Sequence, residues 1–374
     1  MNDAPTTPQV NMTRRHVRRG AIGIHRIAAV AALALGTRAA AAQTPTLDAR
    51  AVDSVVRTRV DSGFSGVVLV AHGDSVILDR AYSRGRVTLA PTSAFHIASM
   101  TKGFTAAAIL RLQEQGKLTV RDSIARFFPD APADRRSVTI HQLLTHTAGF
   151  PRAWAGSDIA DRDSAVRAIL ARPLDRAPGT GFGYVDDDYE LLAAIVEVAS
   201  GTTWESYVER ELLRPAGLAR TGFWCRPRTT VPAPVASADG TRSTCPVPKP
   251  GVRAGDWGHR GATGMSSTAA DILRWTRALH DGRVLSDSSR AALYTPHVLV
   301  RHEPDADVAY GYGVRIYAKD GRVTEIMHAG AGDDGHTGIA RVLPSGLTVI
   351  VLSNAGMHEP TTWASHVAGL LTAR

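Results

Sequence analysis

Ser99 and Lys102 stand three positions apart in the stretch FHIASMTKGFTAAAILRL, residues 95–112, where a run of helix-forming residues begins. Three residues are nearly one helical turn, so the two side chains would share one face of a helix. A serine hydroxyl needs a base to act as a nucleophile near neutral pH, and a lysine desolvated in a cleft can have its pKa lowered enough to serve. The spacing alone does not distinguish a nucleophile and its base from a helix-capping serine followed by a solvated lysine.

The elements around this pair must position it. The apolar spacing of residues 100–115, with Gly116 as a stop, predicts a helix that holds Ser99 at its first turn. At that end of a helix, free backbone N–H groups and the positive end of the dipole lie close to the serine oxygen. Upstream, the sequence predicts a helix over about residues 47–60 and then a hairpin that turns at His72-Gly73-Asp74.

Helices continue through the middle of the chain. Helical patterns extend over about residues 184–215, and a further helix begins at Ser267 or Thr268 and ends before Gly282. A final helix is predicted at about 359–372.

Strands return before that final helix. Two hairpins of four strands are predicted, with turns at Asp320-Gly321 and Pro344-Ser345-Gly346. Strands at both ends and helices between them predict an α+β fold, an antiparallel β-sheet flanked by helices with a mostly helical inserted subdomain. The predicted domain spans 43–374, and it divides into a sheet subdomain and an insertion. The sheet subdomain covers about 43–98 and 258–374, and the helical insertion covers about 99–257.

The first 42 residues differ from the rest. They hold six arginines and one acid, followed by the apolar run IAAVAALAL and small residues that end at Ala42. This order is typical of an export signal peptide, and the apolar run is too short to span a bilayer. We therefore expect a periplasmic or secreted mature chain with no transmembrane segment. Without the signal the formal net charge falls from +8 to +3, and the remaining arginines are scattered among acids, so no nucleic-acid binding is expected.

Cys225 and Cys245 lie 20 residues apart in a proline-rich stretch. In an oxidising compartment they either close a disulfide loop, which is worth about 3 kcal/mol in the chain-entropy model, or remain two buried thiols. No Cys-x-x-Cys or His-Glu-x-x-His pattern occurs, and His141 and His146 are five positions apart. Neither a metal nor an organic cofactor is expected.

Ser99-Met100-Thr101-Lys102 resembles the S-x-x-K motif of the serine β-lactamase and penicillin-binding protein superfamily. The surrounding residues and the stretch TIHQLLTHTAGF are similar to its branch of class C β-lactamases, D,D-peptidases, D-aminopeptidases and related esterases. Further similarity lies in PGTGFGYVDDDYELLAAIVEVASG, GMSSTAADILRW and LPSGLTVIVLSN, in the family's order. The resemblance extends from about residue 50 to 370. It implies a β-lactamase/transpeptidase-like fold with Ser99 as nucleophile and Lys102 as its catalytic partner.

Two further family motifs match positions of this chain. Tyr184-Val185-Asp186 corresponds to Tyr-x-Asn, which implies that Tyr184 moves protons between nucleophile, lysine and leaving group. His328-Ala329-Gly330 corresponds to Lys-Thr-Gly or His-x-Gly, which implies substrate contacts for His328 and Gly330. By the same resemblance, the backbone N–H groups of Ser99 and Ala331 form an oxyanion hole.

Asp186 departs from the family because an asparagine usually stands there. An ionised aspartate can only accept hydrogen bonds, and beside Lys102 it would raise the pKa of the lysine and oppose its use as a free base. Three readings stay open. In the first, Asp186 is protonated, or Tyr184 is the base and Lys102 stays cationic. In the second, the run Asp186–Asp188 favours a substrate with a free amino group, and in the third the site has lost activity.

These observations predict an exported serine hydrolase that works through a covalent acyl-enzyme. The expected partner is a small-molecule or peptidoglycan-derived substrate, an amide or ester such as a β-lactam, a D-amino-acid peptide or a short ester. Two features argue against an efficient β-lactamase: His-x-Gly in place of Lys-Thr-Gly, and Asp186 in place of asparagine. The alternatives are a non-catalytic penicillin- or peptidoglycan-binding protein of the same fold and, among enzymes, a carboxylesterase.

Overall fold

The computed structural model describes residues 49–157, 159–223, 235–238, 240, 257–332 and 337–356. Three sequence predictions lie outside these residues: the export signal, the pairing of Cys225 with Cys245, and the final helix at about 359–372. The expectations for them stay predictions.

The described strands form two sheets. In chain order they are β1 (Gly66–His72), β2 (Ser75–Tyr82), β3 (Phe95–His96), β4 (Gly222–Phe223), β5 (Met265–Ser267), β6 (Val298–His302), β7 (Asp307–Tyr310), β8 (Arg315–Lys319), β9 (Arg322–Ala331), β10 (Thr337–Val342) and β11 (Leu347–Ser353). The described helices are α1 (Ala49–Asp61), α2 (Thr101–Glu114), α3 (Ile140–Leu144), α4 (Arg162–Ala171), α5 (Asp186–Ser200), α6 (Trp204–Val208), α7 (Arg214–Ala216), α8 (Arg260–Thr263), α9 (Ala269–His280) and α10 (Asp287–Leu293).

The larger sheet joins the early and the late strands. Its described strands number eight, in the order β2-β1-β11-β10-β9-β8-β7-β6, and all neighbouring pairs are antiparallel. β1 pairs with β11 along its whole length, from Gly66 opposite Ser353 to His72 opposite Leu347. The predicted α+β fold with an antiparallel sheet is therefore confirmed. The smaller sheet, β3-β5-β4, leads the chain towards Ser99.

The large sheet is covered on both faces. Successive side chains of a strand point to opposite faces, so Val67 and Leu69 of β1 face the main helical core, whereas Val68 and Val70 face α1. Val56 of α1 is fully buried on that second face. Burial on both sides explains why β1 is apolar along almost its whole length rather than alternating.

Helix α2 lies at the centre of the helical layer. Its buried residues surround the helix instead of forming one stripe, because α2 packs against α5, α8 and α10 at once. Phe104 of α2 stacks on Trp275 of α9 with ring centroids 4.2 Å apart and an interplanar angle of 19°. Lys102 lies in the first turn of this central helix, and Ser99 lies just before the helix begins.

Most elements lie close to their predicted places. The helix expected over 47–60 is α1, the one over 100–115 is α2, and Thr268 caps α9 by accepting a hydrogen bond from the backbone N–H of Asp271. Strands β6 and β7 are not predicted, because β6 is a partly exposed edge strand and β7 has only four residues.

The proposed boundaries between sheet subdomain and insertion stay predictions. Within the described ranges, no helix has the length and apolar character needed to cross a bilayer.

Candidate active site

Ser99 lies in a tight 3-10 turn, Ala98–Met100, between β3 and α2. Ala98 adopts a φ of +44°, a region that residues other than glycine rarely occupy, so the turn is strained immediately before the serine. Neighbouring backbone bonds fix it, because Ile97 donates to Met265 O at 3.0 Å and Met100 donates to Ile97 O at 3.1 Å. The local geometry presents a partly exposed serine at the start of a buried helix.

Lys102 is completely buried, and its ammonium group has three acceptors. Nζ donates to Ser99 Oγ at 3.2 Å, to Asp186 Oδ1 at 2.6 Å and to Ala262 O at 3.3 Å. An ammonium group has three donors, so these contacts match its full capacity. The arrangement is that of a protonated lysine held between a nucleophile candidate and a carboxylate.

The electrostatics agree with this geometry. Burial alone would lower the pKa of Lys102, but the charges of Tyr184 and Asp186 and the hydrogen bond with Asp186 outweigh burial and raise it. Nζ also lies 4.8 Å from the centre of the Tyr184 ring. Lys102 is therefore cationic near neutral pH, and a cation cannot take the proton of Ser99.

Tyr184 and Asp186 contact Lys102 from the segment that enters α5. Asp186 is the first residue of α5, and its side chain is 29% exposed. Tyr184 is partly exposed as well. Of the acidic run Asp186–Asp188, only Asp186 is open to a substrate, because Asp187 and Asp188 are 2% and 1% exposed.

The two buried acids of the run have structural partners. Asp187 accepts backbone hydrogen bonds from Ala155 at 2.9 Å and Gly156 at 3.3 Å, and burial raises its pKa to about 6 against the effect of these bonds. Asp188 Oδ2 lies 2.8 Å from His146 Nδ1. Of this acidic run, only Asp186 can therefore contact the amino group of a substrate.

Glu190, one helical turn after Asp186, supports the third acceptor of Lys102. It is fully buried and accepts hydrogen bonds from the backbone of Gly261 and Ala262, both at 3.0 Å. Burial raises its pKa to about 8, although these two bonds act in the opposite direction. Glu190 thereby anchors α8, whose Ala262 carbonyl receives Lys102.

His328 lies on β9 with both ring nitrogens engaged inside the protein. A carbonyl can only accept, so Nδ1–H donates to Ala329 O at 2.7 Å, and Nε2 accepts from the Tyr310 hydroxyl at 3.2 Å. Burial, followed by the charges of Lys102 and Arg315, lowers the pKa of His328 to about 3. His328 is therefore neutral and only 8% exposed, and its predicted contact with substrate stays a prediction.

Gly330 allows β9 to touch the serine turn. A Cβ atom at this position would lie 2.1 Å from Ile97 O and 3.1 Å from the backbone nitrogen of Ser99. No side chain fits there. Ala331 follows at the exposed end of the strand, next to this contact, which is where the resemblance places the second oxyanion donor.

Sequence reasoning misses three residues that shape the site. His146 is 1% exposed and packs on Tyr184 with ring centroids 4.5 Å apart. Burial is the largest cause of the low pKa of His328, and the positive charges of Lys102 and then Arg315 add to it. The third is Glu190. The stretch TIHQLLTHTAGF contains the only signal for His146, and nothing local marks Arg315 or Glu190, because each acts across the fold.

The described ranges contain no cluster of three or more histidine, cysteine or acidic side chains that could hold a metal ion. The candidate site itself presents a serine hydroxyl, a buried ammonium, a phenol and two backbone donors. This set suits nucleophilic acyl transfer.

Known proteins share this architecture. The model of the family described as Beta-lactamase matches residues 52–365 of the chain. Penicillin-binding protein 4* of Bacillus subtilis strain 168 is 27% identical over 312 residues, which cover 78% of this chain and 68% of that protein. PbpX of the same organism is 27% identical over 240 residues, which cover 63% of this chain and only 59% of PbpX.

Solved structures agree with this. The penicillin-binding protein from Bacillus halodurans superposes with a TM-score of 0.70 at 27% identity, over 86% of this chain and 98% of that one. D-amino acid amidase from Ochrobactrum anthropi SV3, in complex with D-phenylalanine, gives a TM-score of 0.69 over 87% of this chain and 97% of its own. Its identity is 21%, so that likeness concerns the fold alone.

Replacing Gly330 by alanine should destabilise the protein and displace Ser99. The new Cβ overlaps Ile97 O, so β9 and the serine turn must separate, at a cost of about 1–3 kcal/mol in the free energy of unfolding. Chemical denaturation measures the change. Gly181→Ala is the control, because a Cβ there meets only Arg176 Nη1 at 3.7 Å. Equal stability of the two variants would contradict the close approach.

Replacing Glu190 by glutamine should change how stability depends on pH. The folded-state pKa of about 8 lies above the ordinary value of 4.5, so between these pH values the folded chain binds a proton that the unfolded chain lacks. This contribution to the free energy of unfolding is full below about pH 4.5 and is lost as the pH rises through 8. Thermal unfolding across this range should show wild type losing stability relative to the variant.

The control for this series is Val196→Ala, which removes buried apolar surface from the same helix and titrates no group. Its difference from wild type should not vary with pH. A difference between wild type and Glu190→Gln that is equally flat would show that Glu190 stays ionised in the folded protein.

Proposed function

Because the chain belongs to the Beta-lactamase family, we propose that it is a serine hydrolase that forms a covalent acyl-enzyme on Ser99. The observation that carries the proposal is the position of Lys102, fully buried with Nζ 3.2 Å from Ser99 Oγ. In the alternative, a capping serine followed by a solvated lysine, the lysine would be exposed and would donate to water instead of to the serine. The 27% identity to a penicillin-binding protein over most of the chain supports the same class.

In the proposed reaction Tyr184 takes part as a phenolate beside the Lys102 ammonium, and Ser99 Oγ attacks the substrate carbonyl while its proton passes to the phenolate oxygen. Lys102 stays cationic, as its raised pKa requires, and stabilises the negative charge, which lies first on the Tyr184 oxygen and then on Ser99 Oγ. The backbone N–H groups of Ser99 and Ala331 hold the oxyanion. Tyr184 then passes the proton to the leaving group, and a water molecule releases the acyl group by the reverse path.

Asp186 favours a substrate that carries a free amino group. One carboxylate oxygen is bound to Lys102, and the side chain is partly exposed, so the second oxygen can accept from an ammonium group. We therefore propose amides, peptides or esters of D-amino acids, including peptidoglycan-derived ones, ahead of β-lactams. The D-amino acid amidase of similar fold was solved with D-phenylalanine, which fits this substrate class. The leader pattern supports a periplasmic or secreted enzyme.

One observation favours the rival role of a binding protein. The hydrogen bond of 2.6 Å between Lys102 and Asp186 ties up the lysine, as would be expected if the site captured ligands without turnover. The two roles differ in whether the acyl group is released.

Ser99→Ala should abolish covalent labelling and turnover. We expect the mass of the wild-type protein to increase by one acyl group with at least one member of a panel of a penicillin, a D-alanyl amide and a p-nitrophenyl ester. Intact-mass spectrometry detects the adduct. Ser206→Ala, at an exposed serine in α6, is the matched control and should label like wild type.

Failure of every panel member to label wild-type Ser99 would contradict the proposed function. Binding that is stoichiometric, is not followed by turnover and survives Ser99→Ala would instead identify a binding protein.

Asp186→Asn should shift the pH dependence of acylation. Removing the carboxylate removes a cause of the raised pKa of Lys102, and the proposed step needs Lys102 cationic, so the falling limb of the acylation rate at high pH should move to lower pH by about one to three units. Stopped-flow acylation of wild type and variant across pH 7–12 measures the shift. Asp163→Asn, at an exposed aspartate in the first turn of α4, is the control. An unchanged profile would remove Asp186 from the mechanism.

A further inference from the structure

The tyrosine of the site is held in place by one buried residue, His146. We propose that His146 is a positioning residue that fixes Tyr184 beside Lys102 and Ser99 by binding the backbone on both sides of it. This inference rests on the proposed function, because it assigns His146 a role in acylation that is exercised only through Tyr184.

The backbone contacts flank the tyrosine. Gly183, the residue before Tyr184, donates its N–H to the carbonyl oxygen of His146 at 2.8 Å. Val185, the residue after it, points its N–H at His146 Nδ1 at 3.3 Å. A single residue thus receives the main chain on both sides of Tyr184, and this bracket restrains the backbone from which the phenol extends.

The ring of His146 adds a third contact. It packs on the Tyr184 ring at 4.5 Å between centroids with an interplanar angle of 46°. On its other sides it meets Tyr189 and Tyr310, each at 5.0 Å. The imidazole is therefore the centre of an aromatic cluster, and Tyr184 is the partly exposed one of these three tyrosines.

His146 itself cannot easily move. It follows α3 with a φ of +56°, a left-handed conformation that non-glycine residues rarely adopt, and its side chain is fully buried. Asp188 Oδ2 lies 2.8 Å from the same Nδ1 that faces Val185. A strained backbone that persists in a fully packed surrounding is typical of a site where position matters.

The protonation states are consistent with a neutral pair. Burial raises the pKa of Asp188 well above its usual range, with the charges of Asp187 and Asp186 adding to the effect. Burial lowers the pKa of His146 well below 6.5, helped by the charges of Lys102, His328 and Arg315. With both groups neutral, a protonated Asp188 faces an unprotonated Nδ1, and the Val185 N–H points at the same nitrogen lone pair.

Positioning and catalysis make different predictions for variants. A tyrosine displaced by about 1 Å can lose about 100-fold in rate without any loss of binding, because proton transfer depends steeply on geometry. His146→Ala should therefore lower the acylation rate constant of Ser99 by about 10- to 100-fold, whereas the dissociation constant for the noncovalent substrate complex changes by less than about twofold. Stopped-flow acylation over a range of substrate concentrations separates the two quantities.

His146→Asn should restore most of the rate. The side-chain oxygen of asparagine can accept the Val185 N–H in place of Nδ1, and asparagine tolerates a positive φ better than most residues. This variant also covers the case in which His146→Ala does not fold. An asparagine variant with wild-type thermal stability and a tenfold loss in acylation would overturn the proposal, because the backbone bracket would then be insufficient.

The decisive comparison uses the Tyr184→Phe background. If His146 acts only through the tyrosine, His146→Ala should have no further effect on acylation once the phenol is gone, whereas independent roles would multiply. An equal loss in both backgrounds, or no loss in either, would reject the inference.

The matched control is His297→Ala. It removes another partly buried imidazole, which binds Ala292 O at 2.8 Å and stacks on Tyr312, and which contacts neither Gly183 nor Val185. Its acylation rate should equal that of wild type. Wild-type labelling of Ser99 is measured first, because its absence rejects the proposed function, whereas labelling that does not depend on His146 rejects only this inference.

Discussion

The burial of one positive charge constrains much of this structure. Taking an ammonium group out of water costs several kcal/mol unless its donors are satisfied, and Lys102 has no exposed surface. Its acceptors come from the serine turn, from the start of α5 and from α8, three segments far apart in the chain. Because these three segments must meet around Nζ, the burial of Lys102 constrains both the fold and the candidate site.

The acidic residues at the start of helix α5 contact different partners. Asp186 and Glu190 are four residues apart and thus lie on one face, the first on Lys102 and the second on the backbone of α8. Asp187 and Asp188 point elsewhere, one to the loop at Ala155 and the other to His146. Four of the five residues from Asp186 to Glu190 are acidic, and only the first of these acids, at the candidate site, is open to solvent.

The sequence predicts the parts of the site that depend on local spacing. Ser99 and Lys102 are separated by less than one helical turn, so the helix pattern was enough to bring them together, and the antiparallel sheet followed from apolar strands bounded by turn residues. Contacts across long separations were accessible only through family resemblance, as with Asp186, which is 84 residues from Lys102. His146 and Glu190 were missed because a buried polar residue in a helical or turn pattern looks like any other core position until its partners are known.

The pairing of β1 with β11 has a consequence for how the protein is made. During synthesis the β1–β2 hairpin emerges early, but one of its edges has no partner until the residues of β11 leave the ribosome about 280 residues later. A similar delay applies to β9, which contacts the turn of Ser99 and is synthesised about 230 residues after it. A nascent chain therefore carries Ser99 without the strand that packs against its turn, and the candidate site is assembled only after β9 has been synthesised.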